Sequence, residues 1–297
     1  MPNVQVRKFP DDVYARITQA AAREERSIEG EVRLTLFKAY PDAAAASLSR
    51  RERWQRDTAT RLIQLQERLR DNKFLPRHRD IDAIGLAKLM GELTPAYLLD
   101  CLDGEAPLSF DAAERLATVT DSSAEWLLEG TGSMFPVEHI GNHYHTFFTP
   151  DAPGDYRFHL IREGKGAGHK SLLCIRHNRT DNRYVIGSVH GQFYLGDGMG
   201  SGGMGNLMRF LQYIKKHYSM LQLSSYILDA EDAQLGEHHP NRYLKSSQLE
   251  TSGWLASMLE GNAPGSWLTD FSWHLNVLKD TPYGEPDPAA ETPSAEI

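Results

Sequence analysis

Long hydrophobic runs are missing from this sequence. None approaches the roughly 18 apolar residues that a membrane-crossing helix needs, and no leader pattern is visible, so a soluble cytoplasmic protein is expected. Cysteine is scarce as well. Cys101 and Cys174 lie far apart, which excludes a disulfide framework and any zinc-type spacing. No GK[ST] follows the glycine-rich stretch, no nucleophile–base–acid set is recognisable, and no internal repeat occurs. The histidines of HIGNHYH (His139, His143, His145) have no carboxylate or cysteine to complete a metal set. Neither a metal nor a cofactor is therefore expected, and the chain is not read as an enzyme.

What is present is charge, unevenly spread. The net formal charge is −8, yet residues 1–80 carry 17 Lys/Arg against 12 Asp/Glu, while residues 81–297 carry 15 against 28. That asymmetry predicts a basic N-terminal arm on an acidic body. The alternative is that the basic residues merely solvate a long helix.

The N-terminus reads as strand, helix, helix. In NVQVRKF the apolar residues Val4 and Val6 alternate with Asn3, Gln5 and Arg7. Asp11 or Asp12 can cap a helix from Val13, with Val13, Ile17, Ala20 and Ala21 on one face. Ser27 can cap a second helix whose stripe is Ile28, Val32, Thr35, Leu36 and Ala39, and Pro41 ends it. One strand and two helices cannot close a core alone, so the expected partner is a second copy paired strand to strand. Such a ribbon fits the major groove and would offer Asn3, Gln5 and Arg7 to base edges. Lys8 and the start of the second helix, Arg26, Ser27 and Ile28, would meet phosphates. Together RKFPDDV and RSIEGEVR resemble the ribbon-helix-helix repressors, particularly the FitA-type antitoxins. Gly30 departs from that pattern, at a cost of roughly 0.8–1 kcal/mol against Ala.

Residues 42–50 read as a linker, and residues 51–135 as an all-helical domain opened by RRERWQRDTATRLIQLQERLRDNKF. The stretch GLAKLMGELTPAYLLDCLDG, with the ending AERLA…SSAEWLLEGTG, resembles the lambda-repressor-like (Cro/cI, XRE) helix-turn-helix domains. That resemblance implies that Thr94, Ala96 and Tyr97 face DNA. Asp100, Asp103 and Glu105 place negative charge at the same helix, where phosphates repel it. The arginines of the preceding helix, Arg50, Arg51, Arg53, Arg56, Arg61, Arg68 and Arg70, pull the other way, as do Lys73, Arg77 and Arg79. A second DNA contact and a retained scaffold both remain open.

Residues 144–280 read as a mixed α/β (α+β) domain belonging to no recognised family. SLLCIRHN and RYVIGSVHGQFYLG form strands around a turn at RTDN, and GNLMRFLQYIKKHY forms a helix. In YLGDGMGSGGMGNLM, glycines Gly198, Gly200, Gly203 and Gly205 make either a tight structural loop or an anion or ligand loop. Residues 281–297 are expected to be disordered. The chain is thus multidomain: ribbon-helix-helix, helix-turn-helix, then α+β. The function expected is a bacterial or phage sequence-specific transcriptional regulator, a repressor, acting as a dimer or tetramer on double-stranded operator DNA. The C-terminal domain would bind a partner protein or a small ligand. Two alternatives stand: an antitoxin that also regulates its own operon, and an enzyme or nucleotide-binding protein working through loop 196–205.

Overall fold

The structure, a computed structural model, describes residues 10–23, 27–39, 48–75, 81–141, 143–164, 170–229, 235–269 and 272–284. The chain divides into two compact units, Met1–Trp54 and Gln55–Ile297. The second unit therefore holds both the helical and the mixed segments that the sequence divides at 135–144.

In the first unit, α1 (Asp11–Arg23) packs on α2 (Ile28–Ala39). Both helices begin with acidic residues, which complements the positive end of the helix dipole. The stripe predicted for α1 is only partly covered: Ala21 is buried, while Val13, Ile17 and Ala20 are half-buried. On α2, Ile28 and Val32 are half-buried, and Thr35, Leu36 and Ala39 are exposed.

α3 (Arg50–Asp71) starts in the first unit and supplies Leu62, Leu65 and Leu69 to the helical core of the second. Around that core fold α4 (Ala83–Leu89), α5 (Ala96–Leu102), α6 (Phe110–Thr120) and α7 (Ala124–Glu129). Local chemistry sets their limits. Asp82, Ser109 and Ser123 cap α4, α6 and α7 by accepting from the N–H groups of Gly85, Ala112 and Trp126. α6 and α7 end on the left-handed residues Asp121 (φ 54°) and Gly130 (φ 74°).

A six-stranded sheet follows: β1 (Val137–His139), β2 (Tyr156–Glu163), β3 (Leu172–Asn178), β4 (Arg183–Ser188), β5 (Gln222–Leu228) and β6 (Leu249–Thr251), in spatial order β1-β4-β3-β2-β5-β6. β2, β3 and β4 form an antiparallel meander, with Leu160 opposite Cys174 and Ile175 opposite Ile186. The turn at RTDN forms as expected: Asn182 is left-handed, and the Asn178 and Asp181 side chains accept from Thr180 and Arg183 N–H. β5 returns parallel to β2 after the crossover through α9 (Ser201–His217).

Both faces of the sheet are covered. Phe158, Leu160, Leu172 and Cys174 point into a large core with α8 (Tyr144–Phe148), α9, α11 (Trp254–Leu259) and α12 (Ser272–Lys279). Ile161, Leu173, Ile175 and Ile186 point the other way, toward Tyr243 of α10 (Pro240–Leu244). One strand expectation needs correction. RYVIGSVHGQFYLG is strand only to Ser188, because His190 and Gly191 (φ 79°) turn the chain away.

Candidate nucleic-acid interface

Asn3, Gln5, Arg7, Lys8 and Arg26, predicted to meet bases and phosphates, lie outside the described residues. Ser27 and Ile28 are described. The Ser27 hydroxyl accepts from Gly30 N–H at 3.0 Å, and its carbonyl accepts from Glu31 N–H at 2.9 Å. Ser27 is thus the α2 N-cap, and the first-turn N–H groups of α2 point outward along the helix axis. Ser27 is exposed and Ile28 half-buried. Two intrahelical ion pairs, Arg16–Asp12 at 2.8 Å and Arg33–Glu29 at 2.5 Å, are well exposed and worth little for stability.

In the helical part of the second unit, α4 and α5 are joined by a turn at Gly91 (φ 75°). Thr94 and Ala96 are exposed at the start of α5. Tyr97 is half-buried and its hydroxyl is engaged. Its hydroxyl donates to the Pro107 carbonyl at 3.0 Å and accepts from Ser109 N–H at 2.7 Å, which ties α5 to the start of α6. The surrounding surface is acidic, with Asp100, Asp103, Glu105 and Asp111 all exposed. The nearby cation Arg115 is held by Glu92 at 2.6 Å and Asp111 at 3.0 Å. Leu93 is fully exposed and Phe110 is 74% exposed, an apolar surface unlike one that meets phosphates.

The arginines of α3 divide by position. Arg50, Arg51, Arg53 and Arg56 are exposed. Arg61 instead closes the end of α7, donating to the Leu127 and Leu128 carbonyls at 2.7 and 2.9 Å. Arg70 donates to the Ile81 carbonyl, and Arg68 meets Glu237 and His238. Arg77 and Arg79 lie outside the described residues.

The helical core and the sheet meet at a buried polar seam that motif reading missed. Asp121 accepts from the Arg183 guanidinium, from Tyr184 N–H at 3.1 Å and from His239 Nε2 at 3.1 Å. His239 is wholly buried, and its Nδ1 accepts from Asn241 N–H, so the proton sits on Nε2. Burial pushes this imidazole below its ordinary pKa, against the opposing pull of Asp121. Asn72 accepts from His239 N–H at 2.7 Å and contacts His238. Both ring nitrogens of His239 are engaged, and the Asp121–His239 pair links the end of α6 to the start of β4 and to the turn before α10. Separations of 118 residues between Asp121 and His239 and 167 between Asn72 and His239 explain why no local pattern signals it.

The glycine-rich stretch also differs from the loop expected. α9 begins at Ser201, so Gly203 and Gly205 lie in its first turns, and only Gly198 (φ 87°) and Gly200 precede it. Gly203 is needed for packing: a Cβ there would sit 2.7 Å from Met199 Cγ. Gly200 and Gly203 line a cavity, described below. Among the described residues, no three His, Cys, Asp or Glu side chains are gathered as a metal site. Also among them, no helix is long and apolar enough to cross a membrane.

No curated protein and no solved structure matches the chain. Residues 2–40 match the model of a family described as antitoxin FitA-like, ribbon-helix-helix.

Proposed function

We propose that the protein is a sequence-specific DNA-binding transcriptional regulator, a repressor, that acts as a dimer or larger oligomer. The observation that carries this reading is the family match over residues 2–40. In this reading two copies pair their first strands, and Asn3, Gln5 and Arg7 of each read base edges in the major groove. Lys8, Arg26 and the α2 N-terminus at Ser27 and Ile28 hold phosphates. The exposed Tyr14 and Leu36 support the pairing, since a second copy would cover apolar surface that a single chain leaves to water.

The helix-turn-helix-like segment serves as a scaffold in this proposal. The occupied Tyr97 hydroxyl and the exposed carboxylates around α5 argue against a second DNA contact there. The Asp121–His239 seam, closed to solvent, argues against catalysis at the most enzyme-like pair of side chains.

Fluorescence anisotropy with DNA from upstream of the coding sequence tests the reading. Wild type should bind specifically, and Arg7→Ala should lose about 1–3 kcal/mol of discrimination between cognate and unrelated duplexes. Equal discrimination by both proteins would reduce the ribbon to a dimer clasp. The description of the matched family favours one second reading, an antitoxin that neutralises a toxin and controls its own operon. Depleting the protein from its native host separates the two: growth arrest supports the antitoxin reading, and unchanged growth leaves the regulator alone.

A further inference from the structure

The start of β3, the turn after β4 and the start of α9 enclose a cavity of about 600 Å³. That size is typical of small-molecule sites. Its walls are largely apolar, with Leu172, Val189, Phe193 and Met199 among them. The titratable side chains on its lining are Lys170, His190 and Tyr194. Among the described residues no carboxylate lines it, although Asp and Glu outnumber Lys and Arg 40 to 32 in the chain. A concave, partly apolar surface with one sign of charge concentrates its potential toward whatever enters.

Lys170 is held firmly in place. Its backbone is left-handed (φ 72°), and its stem occupies the space that a Cβ on Gly196 would fill. The ammonium donates to the Asp197 carbonyl at 2.9 Å and lies 5.6 Å from the centre of the Tyr194 ring. One of three ammonium protons is thereby used. Among the described residues no carboxylate pairs with it.

We infer that this cavity binds a small organic anion, its apolar or aromatic body against Phe193 and Met199 and its acidic group at Lys170. The site lies wholly within the second unit and does not depend on the DNA-binding proposal.

Two fluorescent probes of the same ring system, 1-anilinonaphthalene-8-sulfonate and uncharged N-phenyl-1-naphthylamine, test this on the full chain. The sulfonate should bind at one site per chain. Lys170→Gln should weaken it by about ten-fold, the scale of one charge-assisted hydrogen bond, and leave the neutral probe unchanged, while Lys170→Arg retains it. Gly200→Trp should block both probes. Gly200 has an ordinary φ of −68°, and a Cβ there meets no heavy atom within 4 Å, so the indole can enter the cavity without backbone strain. Phe110→Ser, which removes an exposed apolar residue elsewhere, should change neither probe. No sulfonate binding, binding that survives Gly200→Trp, or equal losses of both probes in Lys170→Gln would each overturn the inference.

Discussion

At the end of β2 the Glu163 carboxyl is buried, and among the described residues its Oε1 has no hydrogen-bond partner. Burial pushes its pKa up to about 7. Between its unfolded value of 4.5 and about 7 the folded state binds more protons at this site, so the stability it supports is lost as pH rises through 7. His159, four residues earlier, has the opposite sign. Burial holds it down at about 4, so the unfolded state binds more protons between about 4 and 6.5, and stability is lost on acidification through that window. Glu163→Gln should therefore remove the loss that accrues as pH rises from 4.5 to about 7, and keep the loss on acidification. Urea midpoints measured from pH 5 to 8 check this, and parallel curves for wild type and variant would refute it. The sequence names both residues but not their protonation behaviour. Both sit in the strand YRFHLIRE on the face of Ile161, and only tertiary packing on that face buries Glu163 and half-buries His159.

Elements were the most legible level. Ser27 caps α2 as its type and spacing predict, because the bond it makes reaches only three residues ahead, whereas α1 begins at Asp11, ahead of the start at Val13 expected from an Asp11 or Asp12 cap. Where an element depends on distant contacts, the reading drifts. The strand after RTDN stops at Ser188, since the chain then turns at His190 and Gly191. Glycines read as loop became the first turns of α9, where Met199 leaves no room for a side chain at 203. The α2 stripe gives a prediction at this scale. Leu36 is 46% exposed in the single chain although it sits on the face the periodicity marks as buried. If a second copy covers it, Leu36→Asp should shift sedimentation toward monomer and leave the helicity of the second unit intact. An unchanged oligomer would place the interface elsewhere.

For the whole molecule, charge distribution frames the last expectation. A chain of net charge −8 that grips DNA must do so through its basic N-terminal segment, and counterion release then makes affinity fall steeply with salt. Lys8→Ala should weaken binding evenly across sequences and reduce the slope of log K against log salt by about 1. A slope unaffected by the change would remove Lys8 from the phosphate contacts. The same scale shows where linear reading stops. The two cores of the second unit, read in sequence as separate domains, are joined through Asp121, Asn72 and His239, which belong to three separated stretches of chain. The sequence by itself determined the resemblance of the N-terminal segment to the ribbon-helix-helix family, the Ser27 cap and the turn at RTDN, because alternation, capping and turn chemistry act over a few residues. The buried seam, the occupied Tyr97 hydroxyl and the cavity beside Lys170 were decided only by the tertiary structure. Each depends on which distant segments the packed sheet and helices bring together, and no local pattern encodes that.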